Sequence, residues 1–173
     1  MDSTLAEVIR DRIRSAGRIT FREWMGLALY HPTLGYYSRA DLKRWGRAGD
    51  YRTSPESSAL FATTFAHYFV ELYGRMARPA ELKIIEFGAG NGQFADGVLQ
   101  TLQSSYPAIF EVTKYLIVDV SSDATARATD LLEPFADRVG FVNLDQLEET
   151  NAGIIFSNEL LDSFPVHRVR KIS

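Results

Sequence analysis

The sequence predicts an α/β fold: a parallel sheet with helices packed on it, preceded by a helical region. Three observations carry this. From Leu82 onward, short apolar runs alternate with helix-compatible segments; the first run leads directly into a glycine-rich stretch; and ahead of Pro79 the apolar residues recur at helical spacing. A chain of 173 residues can hold one domain with a real core plus an appendage, and its 46% hydrophobic and 24% charged content is that of an ordinary globular protein. We divide it into residues 1–79, a helical region with a long ordered loop, and residues 80–173, the sheet-bearing part.

The first helix is read from Leu5, Val8, Ile9 and Ile13, which share one face; Thr4 and Glu7 are spaced as a capping box and Gly17 is placed to end it. In "ITFREWM", Thr20 and Glu23 repeat the box, with Ile19 and Trp24 at the positions of a hydrophobic staple. Pro32 stops that helix after Tyr30. The stretch from His31 to Ser57 lacks periodicity and is expected to be a long ordered loop, a kind of segment that usually has a function. Helical spacing returns from Ala59 to Tyr73, with Phe61, Phe65 and Phe69 on a side expected to face the core rather than to stack on bases.

Four strands follow. "LKIIEF" and "KYLIVDV" are β-branched runs of strand length, and between them Phe94, Val98 and Leu102 mark a helix. "SSYPAIFEVTK" reads as the loop from that helix back to the sheet, while "VGFVNL" and "AGIIFS" supply the third and fourth strands. Strand-helix-strand succession with right-handed crossovers gives a parallel sheet.

Several functions are disfavoured at this level. A formal net charge of -3 gives no support for a nucleic-acid partner. The absence of cysteine removes thiolate and Cys-zinc chemistry, and His31, His67 and His167 show no metal spacing. No apolar run approaches the roughly 20 residues that span a bilayer, so no membrane insertion is expected. Asp2, Glu7 and Asp11 argue against reading the first residues as a transit peptide. The expected compartment is the cytoplasm, or the mitochondrial matrix in a eukaryote.

The stretch "IIEFGAGNGQF" raises the chemical question. Gly88, Gly90 and Gly92 lie beyond the carboxyl end of the first strand, where parallel α/β sheets bind ligands, and glycine lets the backbone approach a ligand closely. A phosphate loop would need Gly-Lys-Ser/Thr, and a dinucleotide fingerprint fails because Gln93 stands where the third glycine belongs. Glu86 would repel a pyrophosphate but favour a ligand carrying ammonium and sulfonium charges. Asp119, at the end of the second strand, can accept two ribose hydroxyls, or can cap the next helix together with Ser121 and Ser122.

The pattern Glu86-x-Gly88-x-Gly90-x-Gly92 resembles motif I of class I S-adenosylmethionine-dependent methyltransferases. With "LYHPTLGYY", "GDYRTSPE" and "SNELLDSFPVH" around it, the stretch from about Thr20 to His167 resembles the MidA-type family, which includes the arginine methyltransferase that assists assembly of mitochondrial complex I. The resemblance implies a Rossmann-like class I fold and S-adenosylmethionine as cofactor. It places Glu86, Gly88, Ala89, Gly90, Gly92 and Asp119 at the cofactor, with Tyr51 and Thr53 folding over it. The family often has Glu where this chain has Asp119.

Asn158, Glu159 and Asp162 are the candidates for substrate chemistry. If that segment starts as a helical turn, the two carboxylates face one way and can hold a guanidinium by forked hydrogen bonds. The resemblance implies methyl transfer to an arginine of a protein substrate, such as a respiratory-complex subunit, and leaves room for a homodimer. Family members continue well past this region, so the expectation is a C-terminally truncated chain whose fourth strand forms an open edge. The alternative is a non-catalytic assembly module that keeps the fold, and a nicotinamide-dependent oxidoreductase is a third reading that Gln93 opposes.

Overall fold

Two reciprocal capping boxes set the N-terminal helices. In helix α1 (Leu5–Ala16) the Glu7 carboxylate accepts from the Thr4 N–H at 2.7 Å, and the Thr4 hydroxyl oxygen accepts from the Glu7 N–H at 3.3 Å. Helix α2 (Phe21–Tyr30) repeats this with Thr20 and Glu23 at 2.8 and 3.1 Å. The backbone donors at Thr4 and Thr20 hold the carboxyls of Glu7 and Glu23 below the usual range. Gly17 ends α1 by donating to the Ile13 carbonyl, at a positive φ of 79° that glycine tolerates.

The structure is a computed structural model and describes residues 4–39, 41–42, 59–147, 149 and 152–172. The chain forms two compact units, residues 1–42 with 159–173, and residues 43–158. In the first unit, Arg12 pairs with Glu23 at 3.5 Å between α1 and α2. The Tyr30 hydroxyl donates to the Ser163 carbonyl at 3.2 Å, Arg22 donates to His167 Nε2 at 3.2 Å, and the Arg168 guanidinium lies over the Phe21 ring. These contacts fasten residues 163–168 to α2.

The second unit contains the sheet. Helix α3 (Ala59–Arg75) leads to β1 (Leu82–Phe87), α4 (Gln93–Ser105), α5 (Pro107–Val112), β2 (Thr113–Val118), α6 (Ser122–Leu131), β3 (Val139–Phe141) and β4 (Gly153–Ser157). Every pairing is parallel and the strand order is β3-β2-β1-β4. Chain order therefore reverses at β1, which has β2 on one side and β4 on the other. This is a topological switch point.

Register explains how the sheet is covered. Glu86 pairs with Ile117 and Phe156, and Ile84 with Tyr115 and Ile154, so these side chains share one face. There the Phe156 ring stacks on Phe94 of α4 at 4.2 Å between centroids, while Phe65 and Phe69 of α3 meet both rings edge-on. The phenylalanine stripe of α3 is thus core, as its spacing predicts. His67, on the outside of α3, hydrogen-bonds the Tyr106 hydroxyl at 2.6 Å. Ile155, on the opposite face of β4, is 74% exposed, and β4 is an edge of the four-stranded sheet.

Two expectations need correction. Residues 107–112 form a helix rather than a loop: Pro107 sits in the first turn, where its missing N–H costs nothing, and Phe110 is buried. A six-residue helix is too short to show periodicity in sequence. The third strand stops at Phe141 instead of reaching Leu144, because Asn143 exchanges hydrogen bonds with Gln146 and caps a short 3-10 turn over Leu144–Gln146. Phe94→Ala, which empties the centre of the aromatic cluster, should cost about 3–5 kcal/mol, read as a lower denaturant midpoint. A loss below about 1 kcal/mol would show that ring packing does not fasten α4 to the sheet.

Candidate functional site

The glycine loop leaves β1 at the switch point with a backbone that only glycine adopts readily. Gly88, Gly90 and Gly92 have φ of 71°, 57° and 82°, all left-handed. Gly88 extends the β1–β2 ladder by donating to the Val118 carbonyl at 2.9 Å, and Gly92 donates to Ala89 as the loop turns into α4. Gly92 also lies tightly against α6. A Cβ there would fall 3.0 Å from the Ala128 Cβ and 3.1 Å from its Cα.

Asp119 is joined to this loop directly. One carboxylate oxygen accepts from the Gly90 N–H at 3.3 Å, and the other from the Ser121 N–H at 2.8 Å. Ser121 in turn caps α6 by accepting from the Ala124 N–H. Ser121 is thus the cap of α6, while Asp119 holds the backbone of that cap residue and the glycine loop at the same time.

Glu86 is a buried residue, 3% exposed, on the helix-covered face of β1. The Tyr115 hydroxyl, reaching across from β2, donates to its Oε2 at 2.8 Å. Burial pushes the Glu86 carboxyl up to about 7; the Tyr115 hydrogen bond opposes that rise and the charge of Asp119 adds to it. The same burial, with the Glu86 charge beside it, pushes the Tyr115 hydroxyl well above its ordinary value. The sequence reading treated Glu86 as a standing negative charge. In the fold its charge is conditional, because a carboxylate in this environment holds its proton until near neutrality.

Of the residues singled out in sequence, Glu86, Gly88, Ala89, Gly90, Gly92 and Asp119 come together at the β1–β2 end of the sheet. Asn158 follows Ser157, which pairs with Phe87, so it leaves β4 at the same carboxyl edge. Glu159 and Asp162 belong to the unit that contains α1 and α2. They do not start a common helical turn. Glu159 has φ 49° in the left-handed region, and the 3-10 turn begins only at Leu161. A non-glycine residue held there carries backbone strain of roughly 1 kcal/mol or more. Tyr51 and Thr53 lie outside the described residues. Among the described residues no three His, Cys, Asp or Glu are grouped to hold a metal, and no helix is long and apolar enough to cross a membrane.

Tyr115 is the site residue that sequence reasoning missed. A lone hydroxyl at an inward position of an apolar strand needs a buried partner, and Glu86 on the neighbouring strand is the natural one. Ala128 and Leu132, the floor beneath Gly92, carried no comparable signal.

A family described as "Putative S-adenosyl-L-methionine-dependent methyltransferase" matches residues 64–173. The chain belongs to this family. Its Rossmann-like class I methyltransferase fold is that of a COG1565 superfamily member from Burkholderia thailandensis, crystallised bound to S-adenosyl-homocysteine. The two share 36% identity with a TM-score of 0.79, over 93% of this chain and 42% of that one. A mitochondrial protein arginine methyltransferase NDUFAF7 homolog from Drosophila melanogaster is 36% identical over 99 residues, covering 57% of this chain and 22% of that protein. The Caenorhabditis elegans homolog is 26% identical over 187 residues, covering 96% and 43%. The chain thus spans less than half the length of these MidA-type family relatives.

Two outcomes follow from the site's geometry. Gly92→Ala should destabilise the fold by at least about 1 kcal/mol, since it combines a left-handed φ with a close approach to the α6 backbone; an unchanged thermal midpoint would refute the close packing. The second outcome concerns pH. The Glu86 carboxyl is raised when folded, so between its ordinary value and about 7 the folded chain binds the extra proton. Its contribution to stability is then present in acid and lost as pH rises through that window, by about 3 kcal/mol in all. Comparing the stability-pH curves of the wild type and Glu86→Gln isolates this effect, and parallel curves would contradict it.

Proposed function

We propose that this chain binds S-adenosylmethionine at the loop after β1 and carries the cofactor-binding part of a methyltransferase. The observation that carries the reading is the joined site itself: three left-handed glycines at the switch point, with Asp119 hydrogen-bonded to Gly90. The solved relative of the same fold, bound to S-adenosyl-homocysteine, supports it.

The residues fit the cofactor chemically. The glycine loop offers backbone without Cβ atoms to obstruct a close approach, Asp119 offers a forked acceptor for a ribose diol, and Glu86 offers a carboxylate for the cationic methionyl end. On the sequence resemblance, Tyr51 and Thr53 complete the cover. When bound, the cofactor supplies a methyl group already activated on a sulfonium. The protein's task is then mainly to position the acceptor, which proximity can favour by several kcal/mol. Asn158, Glu159 and Asp162 are assigned to that role, holding a guanidinium and accepting its proton late in the transfer.

We further propose an arginine of a protein, of the kind found in respiratory-complex assembly, as the methyl acceptor. The named activity of the Drosophila and nematode relatives supports this, as does the run Asn158–Asp162 with its two carboxylates. Those relatives are also named mitochondrial, which supports a mitochondrial compartment over the cytoplasm. Calorimetry with S-adenosylmethionine tests the cofactor assignment, with NAD as the contrasting ligand. The wild type should bind the first and not the second. Gly90→Val should lower the affinity at least tenfold while circular dichroism stays unchanged. Retained affinity in that folded variant would remove the glycine loop from the site.

A further inference from the structure

We propose that Tyr115 is a positioning residue for the cofactor site: through its hydrogen bond it holds the buried Glu86 carboxylate in one orientation ahead of the glycine loop, so that ligand binding and proton release are coupled there. The inference rests on the cofactor reading above and goes beyond it. It assigns a role to a β2 residue lying outside the glycine motif, and it makes affinity depend on the charge state of one buried group.

The geometry leaves Glu86 little choice. It lies between two strands on the covered face of the sheet, and Tyr115 donates to it at 2.8 Å with both residues buried. A phenol at this position can only be satisfied by an acceptor, and a carboxylate in an apolar wall needs a donor to exist as an anion. From β4 the register partner is Phe156, whose ring stacks on Phe94 of α4 and touches Phe65 and Phe69 of α3. These elements present hydrocarbon. The titratable groups acting on Glu86 among the described residues are Tyr115 and, beyond the end of β2, Asp119.

Three forces therefore compete. Burial and the neighbouring Asp119 charge favour the protonated acid, and the Tyr115 hydrogen bond favours the anion. A cationic ligand end arriving beside the loop adds a fourth, on the side of the anion. Binding then shifts the group toward ionisation, and the proton leaves to solvent. By linkage, affinity must fall as pH is lowered through the range in which free Glu86 takes up its proton.

The test uses the intact chain with S-adenosyl-homocysteine as the probe. Calorimetry between pH 5.5 and 7.5, in buffers of different ionisation enthalpy, should show up to about one proton released per ligand and an affinity that drops by as much as tenfold per pH unit below neutrality. In Tyr115→Phe, which removes one oxygen and keeps the ring, affinity at pH 7 should fall several-fold and recover as pH is raised. A purely structural role would lower affinity equally at every pH. Glu86→Gln should abolish the proton release. A carboxyl carbon-13 NMR titration of ligand-free protein gives an independent readout: the Glu86 midpoint should lie near 7 and move upward in Tyr115→Phe. A wild type that binds the probe with no proton exchange and a flat pH profile overturns the proposal while leaving the cofactor reading intact. A Glu86 midpoint in the ordinary carboxylate range overturns it whether or not the probe binds. Absence of binding at every pH overturns both.

Discussion

The position of β1, hydrogen-bonded in parallel to β2 on one side and β4 on the other, governs what the rest of the molecule can do. Because the strand order is β3-β2-β1-β4, the chain order reverses at β1, and the loop after β1 lies at that switch point. Sheet pairing alone would leave this arrangement marginal. It is secured by stacking of Phe156 on Phe94, which ties the edge strand to the helix that the glycine loop starts. Phe94 is the second residue of α4, so ring packing and loop placement are joined within two residues of chain.

The same placement explains why Glu86 behaves differently from a surface acid. Two residues before the glycines, the chain is still in the sheet, and its side chain must face either the helices or the opposite side. Register puts it with Tyr115, Ile117 and Phe156, in hydrocarbon apart from one phenolic hydroxyl. Asp119, by contrast, stands just past the end of β2 and is satisfied by backbone N–H groups from two segments. Of the two carboxylates near this loop, one is inside the sheet, where burial raises its proton affinity, and the other is at the rim, held by backbone donors.

Much of this was legible in the sequence wherever a local rule operates alone. The capping boxes at Thr4 and Thr20, the bounds of β1, the glycines with positive φ and the core face of α3 each follow from a few neighbouring residues. What was not legible depends on partners distant in the chain. Tyr115 acquires its meaning only when β2 is registered against β1, and the contact of Gly92 with Ala128 only when α6 is docked. The helix over Pro107–Val112 was hidden by its brevity, and the left-handed Glu159 by the ordinary preference of glutamate for right-handed backbone. The common helical turn expected for Glu159 and Asp162 is broken at one dihedral angle.

The clasp made by Asp119 also bears on motion. A segment with three glycines in five positions would, left to itself, sample many shapes and lose considerable entropy on being ordered around a small molecule. Here a side chain from another strand grips the middle glycine and, with its second oxygen, the entrance to the following helix. The bend is moored before any guest arrives, and its stiffness is supplied from outside its own sequence. Exchanging residue 119 for one of different reach would thus alter how freely the bend swings, even with every glycine untouched.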